Sequence, residues 1–208
     1  MVRAITPEEQ LADVLFDEAN HLYWLGDKLV PGVTRVLEVT GMIDYRFLGA
    51  QRGYYLERGR KVHQATHEDD EGRLDEQAET AFLAGGIMGY VLGWRSFRRD
   101  YGFAPNRIEQ RVFSRRHGYA GTLDRTGTVR DGSEIILDIK SGIAPPAVRY
   151  QLAAYAACLP HPRTRRRRCV EVHGDGTYRV IPFETADYRR DFETFRMALQ
   201  LFHRIEAA

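Results

Sequence analysis

The chain has 208 residues, 43% hydrophobic and 28% charged, with a formal net charge of +1. That is enough for a domain with a sizeable core. No stretch reaches the roughly 18–20 apolar residues of a membrane helix, and the near-neutral charge does not by itself advertise nucleic acid.

The opening MVRAITPEEQLADVLF has no apolar signal core followed by a small-residue cleavage site, so a cytoplasmic protein is expected. Cys158 and Cys169 are the two cysteines. They cannot make a disulfide framework, and they lack the spacing of a zinc or iron–sulfur site.

Taken in chain order, HLYWL and KLV around Gly26-Asp27 predict a small hairpin. PGVTRVLEVTG reads as a short helix with Thr34 near its start, and a longer helix is expected over about Tyr45–His67. Another is expected over about Asp75–Tyr101, with Phe82, Val91, Trp94 and Phe97 on an apolar stripe despite Gly85-Gly86. Three strands follow, Arg107–Ser114, Tyr119–Val129 and Glu134–Lys140. Pro145-Pro146 opens a helix through about Leu159. Cys169–Val172 and Tyr178–Phe183 form a hairpin, and Ala186–Ala208 is a helix whose Tyr188, Phe192, Phe195, Leu199 and Phe202 share one face. The order predicts a single mixed α/β domain with a central sheet covered by helices. A hairpin and helical extension (about 1–105) precedes the core sheet (about 106–208).

The positive charge is unevenly placed. Arg163, Arg165, Arg166, Arg167 and Arg168 form one run, and two further clusters lie at Arg111, Arg115, Arg116 and at Arg95, Arg98, Arg99. Solvated faces and phosphate contact are both open for them. Lysine is scarce: Lys28, Lys61 and Lys140 stand against 27 arginines. A lysine kept in an apolar strand suggests a need for a compact ammonium.

That lysine lies in GYAGTLDRTGTVRDGSEIILDIKSG, residues 118–142. Asp138 and Lys140 share one face of their strand. A two-residue loop at Asp131-Gly132 would put Asp124 opposite Ile139. A three-residue loop, Arg130-Asp131-Gly132, suits a type I turn followed by a left-handed glycine and pairs Val129 with Ser133. Asp124 then lies opposite Asp138, about 5 Å away at Cβ. Two carboxylates with one lysine leave an acid to neutralise, which a divalent cation with oxygen ligands would do. A structural Asp–Lys ion pair, with Asp124 facing solvent, fits the same spacing.

These residues resemble the PD-(D/E)XK nuclease superfamily. Asp124 in Gly121-Thr122-Leu123-Asp124 resembles its first acid, and Asp138-Ile139-Lys140 its D/E-x-K element. The RecB-type and phage recombination exonuclease branch carries two further features. One is a basic glycine stretch ending in histidine, here Arg58-Gly59-Arg60-Lys61-Val62-His63. The other is a Gln-xxx-Tyr helix, here Gln151 to Tyr155. Asn20-His21-Leu22-Tyr23 followed by Val30-Pro31-Gly32-Val33-Thr34 is similar to the opening of phage nucleases of this kind. The likeness spans about residues 16–200 and implies a restriction-endonuclease-like fold. It also implies Mg²⁺- or Mn²⁺-dependent hydrolysis of DNA phosphodiesters, without an iron–sulfur cluster.

By position, the resemblance makes His63, Asp124, Asp138 and the backbone carbonyl of Ile139 metal ligands. Lys140 would orient the attacking water, with Gln151 and Tyr155 at the site and Glu109 in its second shell or as an added ligand. Arg163, Arg165, Arg166, Arg167 and Arg168 would then lie on the nucleic-acid path. Recombination partners such as a single-strand annealing protein, and further copies of the chain, are the expected associates. A structure- or sequence-specific endonuclease, or a non-catalytic binding module on the same fold, stays open beside the exonuclease. His63 and His67 are four apart, but the intervening residues lack the glutamate of helical zinc proteases.

Overall fold

The computed structural model describes residues 14–17, 22–75 and 86–207. β1 (Val14–Asp17), β2 (Leu22–Leu25) and β3 (Lys28–Val30) make a small antiparallel sheet. Its second turn is the expected one, with Gly26 at φ 54°, where glycine meets no steric cost. α1 (Val33–Val39) buries Val33, Val36 and Leu37. A 3₁₀ segment, Arg46–Gln51, then precedes α2 (Arg52–Asp70). The helix expected from Tyr45 starts later because Gly49 has φ 51°, which a right-handed helix cannot accommodate. It also runs on to Asp70, past the expected end at His67.

α3 (Met88–Tyr101) is the second half of the helix expected over Asp75–Tyr101. Asp75 is not helical, and residues 76–85, Phe82 among them, lie outside the described residues. Val91, Trp94 and Phe97 are buried as the stripe predicts, and left-handed Gly102 closes the helix. Gly93 lets α3 press against the chain beyond it: a Cβ there would lie 2.6 Å from the Thr177 carbonyl oxygen.

The main sheet has five strands in the spatial order of the chain: β4 (Ala104–Ser114), β5 (Tyr119–Thr128), β6 (Glu134–Lys140), β7 (Arg166–Val172) and β8 (Tyr178–Phe183). β6 and β7 are parallel, joined through α4 (Val148–Ala157), and the other neighbours are antiparallel. α5 (Tyr188–Glu206) ends the chain, with Tyr188, Phe195, Leu199 and Phe202 buried. The protein is therefore a mixed α/β fold with helices on both faces of a central mixed sheet. None of the described helices is long and apolar enough to cross a membrane.

The two faces have separate cores. Val36, Tyr119, Ile136, Leu152 and Phe195 pack beneath α1, α4 and α5. Val62, Trp94, Phe97, Leu137 and Val170 pack beneath α2 and α3. β6 lies between them, which is why Ile135-Ile136-Leu137 is a continuous apolar run rather than an alternating one. The small sheet joins the main one through Tyr23, Val30, Phe113 and Ala120. The Ala120 N–H donates to the Pro31 carbonyl at 3.0 Å, and the Tyr23 and Thr122 hydroxyls are 2.9 Å apart.

β7 starts at Arg166, three residues before the expected Cys169. A run of arginines does not look like a strand, but tertiary structure supplies the partners. Arg167 is fully buried, paired with Asp191 at 2.9 Å and donating to the Arg149 and Glu184 carbonyls.

Candidate metal centre

The β5–β6 hairpin has the predicted register. The Val129 N–H donates to the Ser133 carbonyl at 3.1 Å, Gly132 has φ 78°, and Arg125 pairs with Leu137. One step further the same register sets Asp124 opposite Asp138. Here the ladder stops. The Asp124 carboxylate takes the place of a strand carbonyl and accepts the Ile139 N–H at 2.7 Å.

β5 also changes faces at this point. Tyr119 and Leu123 belong to the core under α4 and α5, whereas Arg125 is bonded to Asp70 of α2. The neighbouring strand keeps its register here, its shift lying between Pro105 and Arg107. Ile108 pairs with Arg125 and Gln110 with Leu123, so Glu109 lies opposite Asp124. Glu109 has φ 47°, a conformation costly for any residue with a Cβ and one found where neighbours over-determine it. Glu109, Asp124 and Asp138 thus form one rung across three adjacent strands.

His63 descends on that rung from α2. Its Nε2 is 3.0 Å from the Ile139 carbonyl oxygen and donates to it. Its Nδ1 is 3.6 Å from Glu109 and 3.7 Å from Asp124. The donor atoms of His63, Glu109 and Asp124 all lie within 4.8 Å of one another. Burial alone would lower the His63 pKa, but the two carboxylates outweigh it and raise it to about 9. Asp124 is pushed up to about 6, first by burial and then by Asp138 and Glu109, against the pull of His63 and Lys140. For Glu109, burial is overcome by His63 and Arg125, which lower its pKa.

Asp138 does not belong to this trio. Its oxygens hold the Lys140 ammonium at 2.8 and 3.0 Å, and the Cys169 thiol lies 3.8 Å away. Burial works against the ammonium, but Asp138 and Asp124 raise its pKa above the ordinary lysine range. Gln151 and Tyr155 both point inward from α4, and the Gln151 amide donates to the Tyr155 hydroxyl at 3.1 Å. The Tyr155 pKa is raised by burial and then, among other groups, by Asp124 and Asp138. Its ring crosses β5 at Gly121, where a Cβ would meet it at 2.5 Å. His67 turns elsewhere, to Glu71 at 3.1 Å.

The sequence reading overlooked what stands behind Glu109. Arg125 is fully buried, donating to Asp70 at 2.6 Å, Glu109 at 3.0 Å and the Asp124 carbonyl at 2.7 Å. Trp94 and Arg98 hold Asp70 from α3, each at 2.9 Å. Arg125 shares its face of the sheet with Leu137, and an arginine on an apolar face signals a buried acid as partner. Arg58 from the basic stretch donates to the Ser141 carbonyl just past β6 and covers the Tyr55 ring at 4.8 Å.

The arginine run does not make one phosphate-facing patch. Arg167 is internal, Arg165 pairs with Glu134 at 2.9 Å, Arg166 pairs with Asp131 at 2.8 Å, and Arg168 donates to the Arg167 carbonyl. Of the five, Arg163 has no such partner among the described residues. The Arg95 and Arg98 cluster is likewise engaged, by Asp69 and Asp70 of α2.

Fold and site together define a mixed α/β protein with a buried polar cluster at the fork of β5 and β6. No family model and no curated protein matches the chain. Among solved structures, one titled "Crystal structure of SSO0001" is 16% identical over 66% of this chain and 70% of that one, with a TM-score of 0.30, too low to carry an argument.

Proposed function

We propose that the protein is a metal-dependent deoxyribonuclease that hydrolyses phosphodiester bonds, acting from DNA ends. The observation that carries this reading is the convergence of His63, Glu109 and Asp124 within 4.8 Å, beside a lysine held by the acid of the next strand. The donor set fits Mg²⁺ or Mn²⁺: carboxylate oxygens predominate, with one imidazole and a main-chain carbonyl adjoining. His63, Glu109 and Asp124 would hold the ion, with the Ile139 carbonyl beside them. When bound, it would supply Lewis-acid polarisation of the phosphate and a more acidic water.

The remaining roles belong to the chain. Asp138 fixes the Lys140 ammonium, which orients the attacking water and offsets charge on the scissile phosphate. The water oxygen bonds to phosphorus, the ester P–O bond breaks, and the leaving oxygen takes up a proton. Gln151 and Tyr155 brace the acids from α4, and the Arg125 fork holds Glu109 in its left-handed conformation. Action at ends, in recombination-type processing, rests on the resemblance of the Gln151–Tyr155 helix and the His63 stretch to phage recombination exonucleases.

The test offers linear duplex and covalently closed circular DNA with Mg²⁺ or Mn²⁺. Degradation of the linear form alone, abolished by Asp138→Asn and by Lys140→Ala, is the expected result. Nicking of the circle would make the protein an endonuclease. Full activity in Lys140→Ala would place the site elsewhere.

A further inference from the structure

Three arginines without ion-pair partners among the described residues meet at one place. A concave pocket of about 700 Å³ lies where the β4–β5 turn, the segment after α4 and the start of α5 meet. Arg116, Arg163 and Arg189 line it, one from each of these three segments. All three are exposed, and none has an ion pair or side-chain hydrogen bond among the described residues. Their neighbours are engaged: Arg190 pairs with Asp187 at 2.9 Å, and the rim acid Glu193 with Arg196 at 2.7 Å. The pocket therefore holds three uncompensated positive charges.

Its wall is aromatic. Tyr188 and Phe192 stack at 5.9 Å with planes 5° apart, and His117 meets Phe192 edge-on at 5.4 Å. Three guanidinium groups over a rigid apolar wall suit a chain of phosphates with sugars between them. A single small anion would fill little of 700 Å³ and engage few of the donors.

The position is informative. From Gly118 at the turn to Asp124 is six residues of strand, about 20 Å. Along the axis of a duplex each strand carries one phosphate per about 3.4 Å, so a duplex laid parallel to β5 covers this span in about six nucleotides.

We propose that Arg116, Arg163 and Arg189 form a second DNA contact, which grips the sugar–phosphate backbone about six nucleotides from the bond that is cut. The identity of the ligand rests on the deoxyribonuclease reading above. Contacts to phosphate and sugar carry no sequence information, so the grip is sequence-independent.

The test measures duplex binding against salt, with every chain carrying Lys140→Ala so that DNA is not consumed. Arg116→Ala, Arg163→Ala and Arg189→Ala are combined, and a control combines Lys28→Ala, Arg35→Ala and Arg204→Ala. On duplexes of about 20 base pairs the pocket triple should flatten the log–log salt slope by between about 2 and 3, as three lost phosphate contacts require. On hairpin duplexes of about five base pairs, which reach the metal centre or the pocket but not both, the slope should flatten by less. The control triple should leave both slopes in place. A pocket triple that binds long duplex with an unchanged slope, or one matched by the control triple, overturns the proposal, as does an absence of DNA binding by the parent chain. Cleavage of linear DNA by the unsubstituted protein is scored separately. Cleavage with an unchanged slope removes the pocket alone, and a flattened slope without cleavage removes the reading of the metal centre alone.

Discussion

Two groups of buried charge flank the same sheet and are built differently. Arg167 and Asp191 form a closed pair, both sealed from solvent. Asp191 also takes Arg149 at 2.8 Å, and main-chain carbonyls take further Arg167 donors. The rung of Glu109, Asp124 and Asp138 gathers three acids about His63 and Lys140, and His63, Glu109 and Lys140 keep roughly a quarter to a third of their side chains exposed. The first arrangement pairs permanent charges away from solvent and leaves one buried donor, the Arg167 Nε, without a partner among the described residues. The second keeps a histidine, a strained backbone and an opening to solvent. A buried pair that serves the fold is closed to solvent, whereas a group that serves chemistry stays open to it.

Changes at four positions would break or sharpen that contrast. Lys140→Ala should lower DNA cleavage by about a thousandfold, as loss of a positioned proton-handling or charge-offsetting group does. Its melting temperature should fall by less than that of Asp191→Ala, since Lys140 keeps a quarter of its side chain exposed although Asp138 loses its cation. Asp191→Ala should do the reverse. Leaving Arg167 buried without its acid should cost about 3–5 kcal/mol in urea unfolding, while Mn²⁺ affinity of the folded chain is unchanged.

Arg125→Met lies between the two groups because Arg125 links the core acid Asp70 to Glu109. Mn²⁺ affinity, read by titration calorimetry, should fall by about 10- to 100-fold, the usual cost of losing a group that orients a ligand. Arg125→Lys should restore part of it. Equal affinity in Arg125→Met would reduce Arg125 to a packing role.

The smallest effect concerns pH. Glu171 is buried and accepts the Ala144 N–H at 2.7 Å. Burial would raise its pKa, but Arg179 and that N–H hold it below its ordinary 4.5. The group stabilises the fold above its unfolded pKa and stops doing so as pH falls through its folded one. The stability gap between the parent and Glu171→Gln should therefore be full at neutral pH and close below about pH 4.5. A gap constant down to pH 3 would show that the charge of Glu171 contributes nothing.

Local chemistry made much of this legible. The hairpin at Gly26-Asp27, the α5 stripe and the β5–β6 register each follow from turn residues and spacing over a few positions. The rung was half legible. Asp138 and Lys140 stand out because charge interrupts an apolar strand, Asp124 because the turn opposes it to Asp138, and His63 only through a family likeness. Glu109, open between a place behind the acids and a place among the ligands, converges with His63 and Asp124, while Asp138 holds the lysine. Spacing cannot give this, because the alternation that predicts which way a strand residue points fails at the face change on β5 and the left-handed Glu109 on β4.

The sequence by itself determined the order of the five main-sheet strands, the turn that opposes Asp124 to Asp138, and the two faces that β6 must bury, but not β1. Those depend on neighbours along the chain. Tertiary structure alone decided which arginines are structural, that Arg125 reaches Asp70 55 residues away, and that an unpaired trio from three segments lines one pocket. A charge acquires its role from the partner that desolvates or neutralises it, and here those partners arrive from distant parts of the chain.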